Sequence, residues 1–231
     1  MTDGLLFSWD APSLPVAGLD RRFPVRRIFC VGRNYAEHAR EMGHDPDREP
    51  PFFFMKPADA LVPDGGAVPY PPATADLHHE VELAVALGDT LRDATPEQAL
   101  RAVYGYAVAI DLTRRDLQGE AKRLGRPWEV GKAFEASCPC GPLVPAERFD
   151  PGGGRIWLSV DGAPRQDGDL DQLIWSVPEV LAQASRVFTL KPGDLVLTGT
   201  PAGVGRLDPG AAVDAGIDGL GNLQIEVTAG T

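Results

Sequence analysis

Two glutamates, Glu80 and Glu82, stand one residue apart in a stretch otherwise built of aliphatic and small residues, His79-Glu80-Val81-Glu82-Leu83-Ala84-Val85-Ala86-Leu87. Successive side chains of a strand point to opposite faces. A strand here places His79, Val81, Leu83, Val85 and Leu87 on one side, an apolar face broken only by the histidine. Glu80 and Glu82 fall on the other side, with Ala84 and Ala86. Two carboxylates a strand period apart repel each other unless a proton or a cation joins them. A third carboxylate, Asp111, ends the apolar run 104–111. Three hard oxygen ligands suit Mg²⁺ or Mn²⁺, and Ca²⁺ less well. A Glu-x-Glu pair by itself is more often a solvated acidic strand face, because glutamate is seldom buried. The metal reading therefore rests on Asp111 and on the features below.

Glycine (26) and proline (22) recur along all 231 residues, which favours many short strands and turns over long helices. Hydrophobic residues make up 43% of the chain, enough for a real core. Residues 1–20, with Pro12 and Pro15, read as a loose N-terminal arm. No linker interrupts the remainder, so residues 21–231 are expected to form a single domain. Strands are expected over 25–31, 51–56, 79–88, 105–112 and 194–198, with one or two more over 211–228. Asn34 with Glu37 resembles a capping box opening a short helix stopped by Gly43, followed by loop over 44–51. Thr95, Pro96 and Gln98 open a second helix, Thr113 a third that ends at Gly125, and Ser176 with Glu179 a fourth reaching Val187. Asp161-Gly162 marks a hairpin. Strands and helices mix without regular βαβ alternation, which favours α+β.

The net charge of −11 argues against nucleic acid or an anionic membrane as partner. No apolar stretch approaches the roughly 18 residues a membrane-spanning helix needs. The start of the chain lacks the basic and apolar segments of a signal peptide. The cysteines, Cys30, Cys138 and Cys140, are odd in number, so reduced thiols and a cytoplasmic location are expected. Cys138-Pro139-Cys140 lacks a recognised ligand spacing and reads as a packing element at a turn. The glycine-rich run 199–205 lacks the Lys-Ser/Thr ending of a phosphate loop.

A second group of residues bears on chemistry. His38 and Glu41 are three apart on the short helix, hence side by side. A carboxylate beside an imidazole fixes its tautomer and raises its basicity, so the pair can draw a proton from water. Lys132, within Val130-Gly131-Lys132-Ala133-Phe134, can neutralise charge developing on a substrate oxygen. Arg115 and Gln118 share a helix face and can hold a substrate carboxylate. Taken singly, each also fits a solvated helix face or a lysine whose stem lies along apolar surface.

Six stretches occur together: Val31-Gly32-Arg33-Asn34-Tyr35-Ala36-Glu37-His38; Phe54-Met55-Lys56-Pro57; His78-His79-Glu80-Val81-Glu82-Leu83; Gly105-Tyr106 through Asp111-Leu112-Thr113-Arg114-Arg115-Asp116; Gly131-Lys132-Ala133-Phe134; and Leu197-Thr198-Gly199-Thr200-Pro201-Ala202-Gly203-Val204-Gly205. In this order the chain resembles the fumarylacetoacetate hydrolase family from about residue 25 onward. The resemblance implies a strand-rich mixed β-sandwich roll of the family's C-terminal-domain type, with short peripheral helices and a lid helix, usually a homodimer. It implies one divalent cation per subunit on Glu80, Glu82 and Asp111, and catalytic roles for His38, Glu41 and Lys132. It further implies substrate contacts from Arg33, Tyr35, Lys56, Arg115, Gln118 and Thr200.

The likeness is strongest to the branch that hydrolyses a carbon–carbon bond of 2,4-dioxo acids, fumarylpyruvate above all, in gentisate and other aromatic degradation. Pro24-Val25-Arg26-Arg27-Ile28-Phe29-Cys30, Glu49-Pro50-Pro51-Phe52-Phe53-Phe54 and Asp111-Leu112-Thr113-Arg114-Arg115-Asp116-Leu117-Gln118 carry it. Oxaloacetate decarboxylation or 2-hydroxyhepta-2,4-diene-1,7-dioate isomerisation is the alternative within the family. A non-catalytic module that holds a divalent ion is the alternative outside enzymes. Fumarylpyruvate carries a second carboxylate, for which Arg33, Arg115 and Arg126 are all open partners.

Overall fold

A computed structural model of the chain describes residue 6 and residues 8–41, 49–63 and 66–230. The fold is α+β and strand-rich. Its largest sheet runs, neighbour to neighbour, Phe52–Lys56, Arg27–Gly32, Asp194–Leu197, Val81–Leu87, Val103–Ile110, Cys138–Cys140 and Leu61–Pro63, with Val144–Pro145 beside Val103–Ile110. Pairings within it are both parallel and antiparallel. A five-stranded sheet runs Ala163–Asp169, Arg155–Val160, Ala212–Ile217, Gly221–Thr228 and Ala67–Pro69. A three-stranded sheet joins Thr113–Arg114, Leu77–His79 and Gly205–Leu207.

Every residue of Val81–Leu87 is buried, so both faces of this central strand lie inside the protein. Val81, Leu83, Val85 and Leu87 belong to one core, with Ile156, Leu158, Val213, Ile217 and Val227 of the five-stranded sheet. Ala84 and Ala86 belong to a second core, with Ala107, Ala109, Leu195, Leu197 and all three cysteines. Burial pushes the thiols of Cys30, Cys138 and Cys140 up, and the three are free. They are packing residues.

Several expected elements take the expected form. Thr95 and Gln98 make a reciprocal capping box on the helix Pro96–Arg101. Asp161 and Gly162 both have positive φ in the tight turn between Arg155–Val160 and Ala163–Asp169. Gly125, at φ +62°, closes the helix Arg115–Leu124. Thr113–Arg114 is a short strand rather than the first turn of that helix.

Three expectations are corrected. The loose arm extends at most to residue 12: Ser13–Val16 and Leu19–Pro24 form a hairpin, and Leu14, Val16 and Phe23 are buried in the second core. The alternation of Leu14 and Val16 drives this, and a proline is tolerated on a short peripheral strand. Asn34 does not cap the helix Ala36–Glu41. Its Oδ1 accepts from Trp175 N (2.7 Å), and its Nδ2 donates to Trp175 O (2.9 Å) and Thr198 O (2.8 Å), tying three segments together. The expected stop at Gly43 and loop residues 44–48 lie outside the described residues. The strand expected over 79–88 is broken at Glu80, between Leu77–His79 and Val81–Leu87.

Gln166 fills that break. Its Oε1 accepts from Val81 N (3.1 Å) and bonds His79 Nδ1 (3.0 Å), and its Nε2 donates to Thr200 Oγ1 (2.7 Å) and Pro201 O (2.9 Å). His79 is fully buried. Burial pushes its imidazole down to about 4 from an ordinary 6.5, against the pull of the Gln166 hydrogen bond. Between those values the unfolded chain takes up a proton that the folded protein refuses. The stability His79 contributes is thus complete above pH 6.5 and is lost as pH falls toward 4, a loss of about 3 kcal/mol. Denaturant titrations of chelator-treated protein at about pH 7 and about pH 4.5 check this. His79→Gln should lose less stability over that interval than the wild type, by most of that amount.

Candidate active site

Register brings the three acids together. Val81–Leu87 and Val103–Ile110 are antiparallel with Val81 opposite Ile110, and Asp111 N donates to Glu80 O (2.8 Å). Asp111 therefore emerges across from Glu80, one strand spacing away. Glu80, Glu82 and Asp111 are all buried and offer one oxygen each within 4.8 Å of one another.

Such a cluster stands only if its charge is matched. Lys132, at the end of the short helix Glu129–Lys132, bonds Glu80 Oε2 (2.8 Å), Asp111 Oδ2 (2.6 Å) and Thr113 Oγ1 (2.6 Å). Arg115 pairs with Glu80 Oε1 and donates to Gln118 Oε1 (2.8 Å). Gly199 N donates to Glu82 Oε2 (2.7 Å). Gly199 has φ +99°, and a Cβ there would sit 2.8 Å from Asn34 Cβ, so only glycine delivers this N–H.

These contacts set the protonation states. Burial pushes the Glu82 carboxyl well up, reinforced by Asp111 and Glu80. Burial pushes Glu80 the same way, but Lys132 and Arg115 prevail and hold it well below the usual carboxylate range. For Lys132, burial works against the charge, and Asp111 and Glu80 outweigh it, so its pKa is raised. Lys132 is thus a fixed cation and not a base at neutral pH.

Glu80 and Glu82 open into a cleft, and Asp111 stands beside them off its lining. Of the expected residues, Arg33, His38, Glu80, Glu82, Arg115, Gln118, Lys132 and Thr200 line it. His38 Nδ1 lies 3.1 Å from Glu41 Oε2, and Glu41 also accepts from Gly203 N. Glu41 thereby orients the ring from outside the cleft lining.

Two expected substrate contacts are corrected. Lys56 is buried, and its Nζ donates to Leu112 O (3.0 Å) and Lys132 O and lies 2.9 Å from Asp111 Oδ1. It faces the back of Asp111 and not the cleft. Tyr35 is 2% exposed and packs in the first core. Among the described residues its hydroxyl has no partner, and burial pushes its phenol up. Arg126 lines a separate groove with Leu117, Glu120 and Pro127. The cleft also contains Phe54, Lys122 and Trp128, which the sequence reading passed over. A spacing signals Lys122, which follows Arg115 and Gln118 at helical intervals of seven and four; Phe54 and Trp128 carry no such signal.

The donor set suits a hard divalent cation. Three buried carboxylate oxygens converge there, the hard donors such an ion takes. Among the described residues no helix is long and apolar enough to cross a membrane.

The chain as a whole is similar to known proteins. Residues 27–228 match the sequence model of the fumarylacetoacetate hydrolase C-terminal domain. A crystal structure of fumarylpyruvate hydrolase from Pseudomonas aeruginosa with Mn²⁺ and pyruvate is 54% identical, with a TM-score of 0.94 over 97% of this chain and 99% of that one. An oxaloacetate tautomerase of Escherichia coli is 46% identical over 85% of this chain and 90% of its own length. A mitochondrial oxaloacetate tautomerase of Bos taurus is 43% identical over 87% and 91% respectively.

Two outcomes test the site. Calorimetric titration of chelated protein with Mn²⁺ should show binding that releases protons and tightens as pH rises, because the ion displaces the Glu82 proton. Glu80→Ala with Glu82→Ala should abolish it, and unchanged binding would refute the ligand assignment. Lys56→Met should cost about 3–5 kcal/mol in denaturant unfolding, since it strips a buried partner from Asp111.

Proposed function

Since the chain belongs to the fumarylacetoacetate hydrolase family, we propose that it is a divalent-cation-dependent hydrolase that cleaves a carbon–carbon bond of a 2,4-dioxo acid, fumarylpyruvate in the favoured case, to fumarate and pyruvate. The observation that carries this reading is that His38, paired with Glu41, lines the same cleft as Glu80 and Glu82 of the acid triad and the charged Lys132. The 54% identity to a fumarylpyruvate hydrolase supports the choice of acyl group.

Glu80, Glu82 and Asp111 would hold Mg²⁺ or Mn²⁺. The ion, when bound, supplies a Lewis acid that draws electrons toward the 2-oxo end of the substrate. The chain's own residues do the rest. Glu41 accepts from His38 Nδ1–H, which leaves Nε2 free to take a proton. His38 deprotonates a water, and the hydroxide attacks the distal carbonyl carbon. The tetrahedral adduct collapses to a carboxylic acid as the adjacent carbon–carbon bond breaks, and the bonding electrons leave with pyruvate as its enolate. Lys132 supplies positive charge toward that enolate. Gln118 and Thr200 offer an amide and a hydroxyl to substrate oxygens. Protonation at carbon, with His38 able to return its proton, completes pyruvate.

A second reading, oxaloacetate tautomerisation or decarboxylation, is favoured by the relatives at 46% and 43% identity. It shares the enolate and lacks the water attack. Mn²⁺-loaded protein should release pyruvate from fumarylpyruvate faster than it converts oxaloacetate, followed by absorbance. His38→Ala should retain Mn²⁺ and lose hydrolysis by about 10²–10⁴-fold. No pyruvate from any 2,4-dioxo acid would sink the hydrolase reading.

A further inference from the structure

Two cations in the cleft have no use in the chemistry described so far. The three buried carboxylates are matched by three paired cations, Lys56, Arg115 and Lys132. Arg33 and Lys122 also line the cleft. Among the described residues neither forms an ion pair with a carboxylate. A divalent ion on the triad adds still more positive charge. The cleft is therefore built for more negative charge than one substrate carboxylate brings.

The two cations sit on an aromatic frame. The Arg33 guanidinium lies 5.5 Å from the centre of the Phe52 ring, and Lys122 Nζ 4.9 Å from that of Trp128. Phe52 and Trp128 meet edge to face, centroids 5.2 Å apart. Such seating holds a cation in place without neutralising it. Arg33 adopts φ +60°, unusual for a residue with a side chain. The preceding Gly32 admits the Phe52 ring, since a Cβ there would lie 2.0 Å from it. The backbone is thus bent to deliver Arg33 where it stands. Burial pushes the Lys122 ammonium down to about 8, with Arg115, Arg33 and Lys132 adding repulsion against the pull of Glu80. An anion arriving beside it would relieve both costs.

The other candidates for the distal charge fall away. Arg115 is committed to Glu80 and Gln118, and Arg126 lines a different groove.

We propose that Arg33 and Lys122, seated on Phe52 and Trp128, form a carboxylate subsite that receives the distal carboxylate of a dicarboxylic 2,4-dioxo acid and selects it over monocarboxylic analogues. This rests on the reading of the site as one acting on such acids. The 2-oxo carboxylate end lies toward the triad and Lys132, the second carboxylate toward Arg33 and Lys122. A monocarboxylic acylpyruvate leaves the second end uncompensated.

The test uses the full chain loaded with Mn²⁺ and saturated with pyruvate, into which fumarate is titrated calorimetrically. The wild type should bind fumarate. Lys122→Gln and Arg33→Gln should each weaken it by about 10–100-fold, the usual worth of a charge-assisted hydrogen bond, and Lys122→Arg should restore most of the loss. The ratio of kcat/KM for fumarylpyruvate to that for acetylpyruvate should fall by a similar factor in the glutamine variants. Fumarate binding to Lys122→Gln within about threefold of wild type, or no fumarate binding by the wild type, would overturn the subsite. If the wild type hydrolyses neither substrate, the hydrolase reading fails by itself, and the fumarate titration still decides the subsite.

Discussion

Three carboxylates buried within 4.8 Å of one another are the costliest thing this fold contains, and much of its centre is arranged to make them tolerable. An uncompensated charge in a protein interior costs several kcal/mol. Compensation arrives from distant parts of the sequence: Lys56 from an edge strand of the large sheet, Arg115 and Lys132 from two helices, the Gly199 amide from the turn after Leu197. Each supplier must be in place for the others to be useful. The electrostatics of the site and the tertiary structure are for that reason one problem. Burial beside Asp111 and Glu80 also strengthens the hold of Glu82 on a proton, a demand that a divalent cation would relieve.

The break at Glu80 belongs to the same solution. An unbroken strand would send Glu80 and Glu82 into a ladder with no room for a lysine between their neighbours. Leaving the large sheet at residue 80 gives Glu80 access to Arg115 and Lys132 while Glu82 stays paired with Ala109. The broken backbone then needs a surrogate partner, and Gln166 supplies it from another sheet. Because Gln166 also holds Thr200, the repair of the strand and the position of a cleft residue are linked. The neutral His79 is part of that repair, which is why a histidine interrupts an otherwise apolar face.

What the sequence made legible follows physical range. Local rules succeeded where the forces are local: the Thr95 capping box, the Asp161-Gly162 turn, the Gly125 stop and the Glu-x-Glu alternation all rest on neighbours within a few residues. They failed where a distant partner competes. Asn34 has the look of a helix cap, yet Trp175 and Thr198 claim its side chain. Lys56 has the look of a substrate contact, yet Asp111 and two carbonyls hold it at the back of the site. Residues 13–20 read as loose because burial of Leu14 and Val16 depends on a sheet face assembled from elsewhere. The Glu80–Glu82 pair was visible in the alternation and Asp111 as the end of an apolar run, but not that antiparallel register would bring Asp111 opposite Glu80.

The division between Lys132 and His38 shows why both are needed. Lys132 is locked by three short bonds and keeps its proton, so it can offer charge but cannot accept hydrogen. His38 is on a helix of six residues, too short to be stable alone, tied through Glu41 to Gly203. A fixed charge is strongest where water is excluded, whereas a base must pass protons to and from water. One group holds its proton and the other is set by a carboxylate to exchange one, so neither can do the other's part.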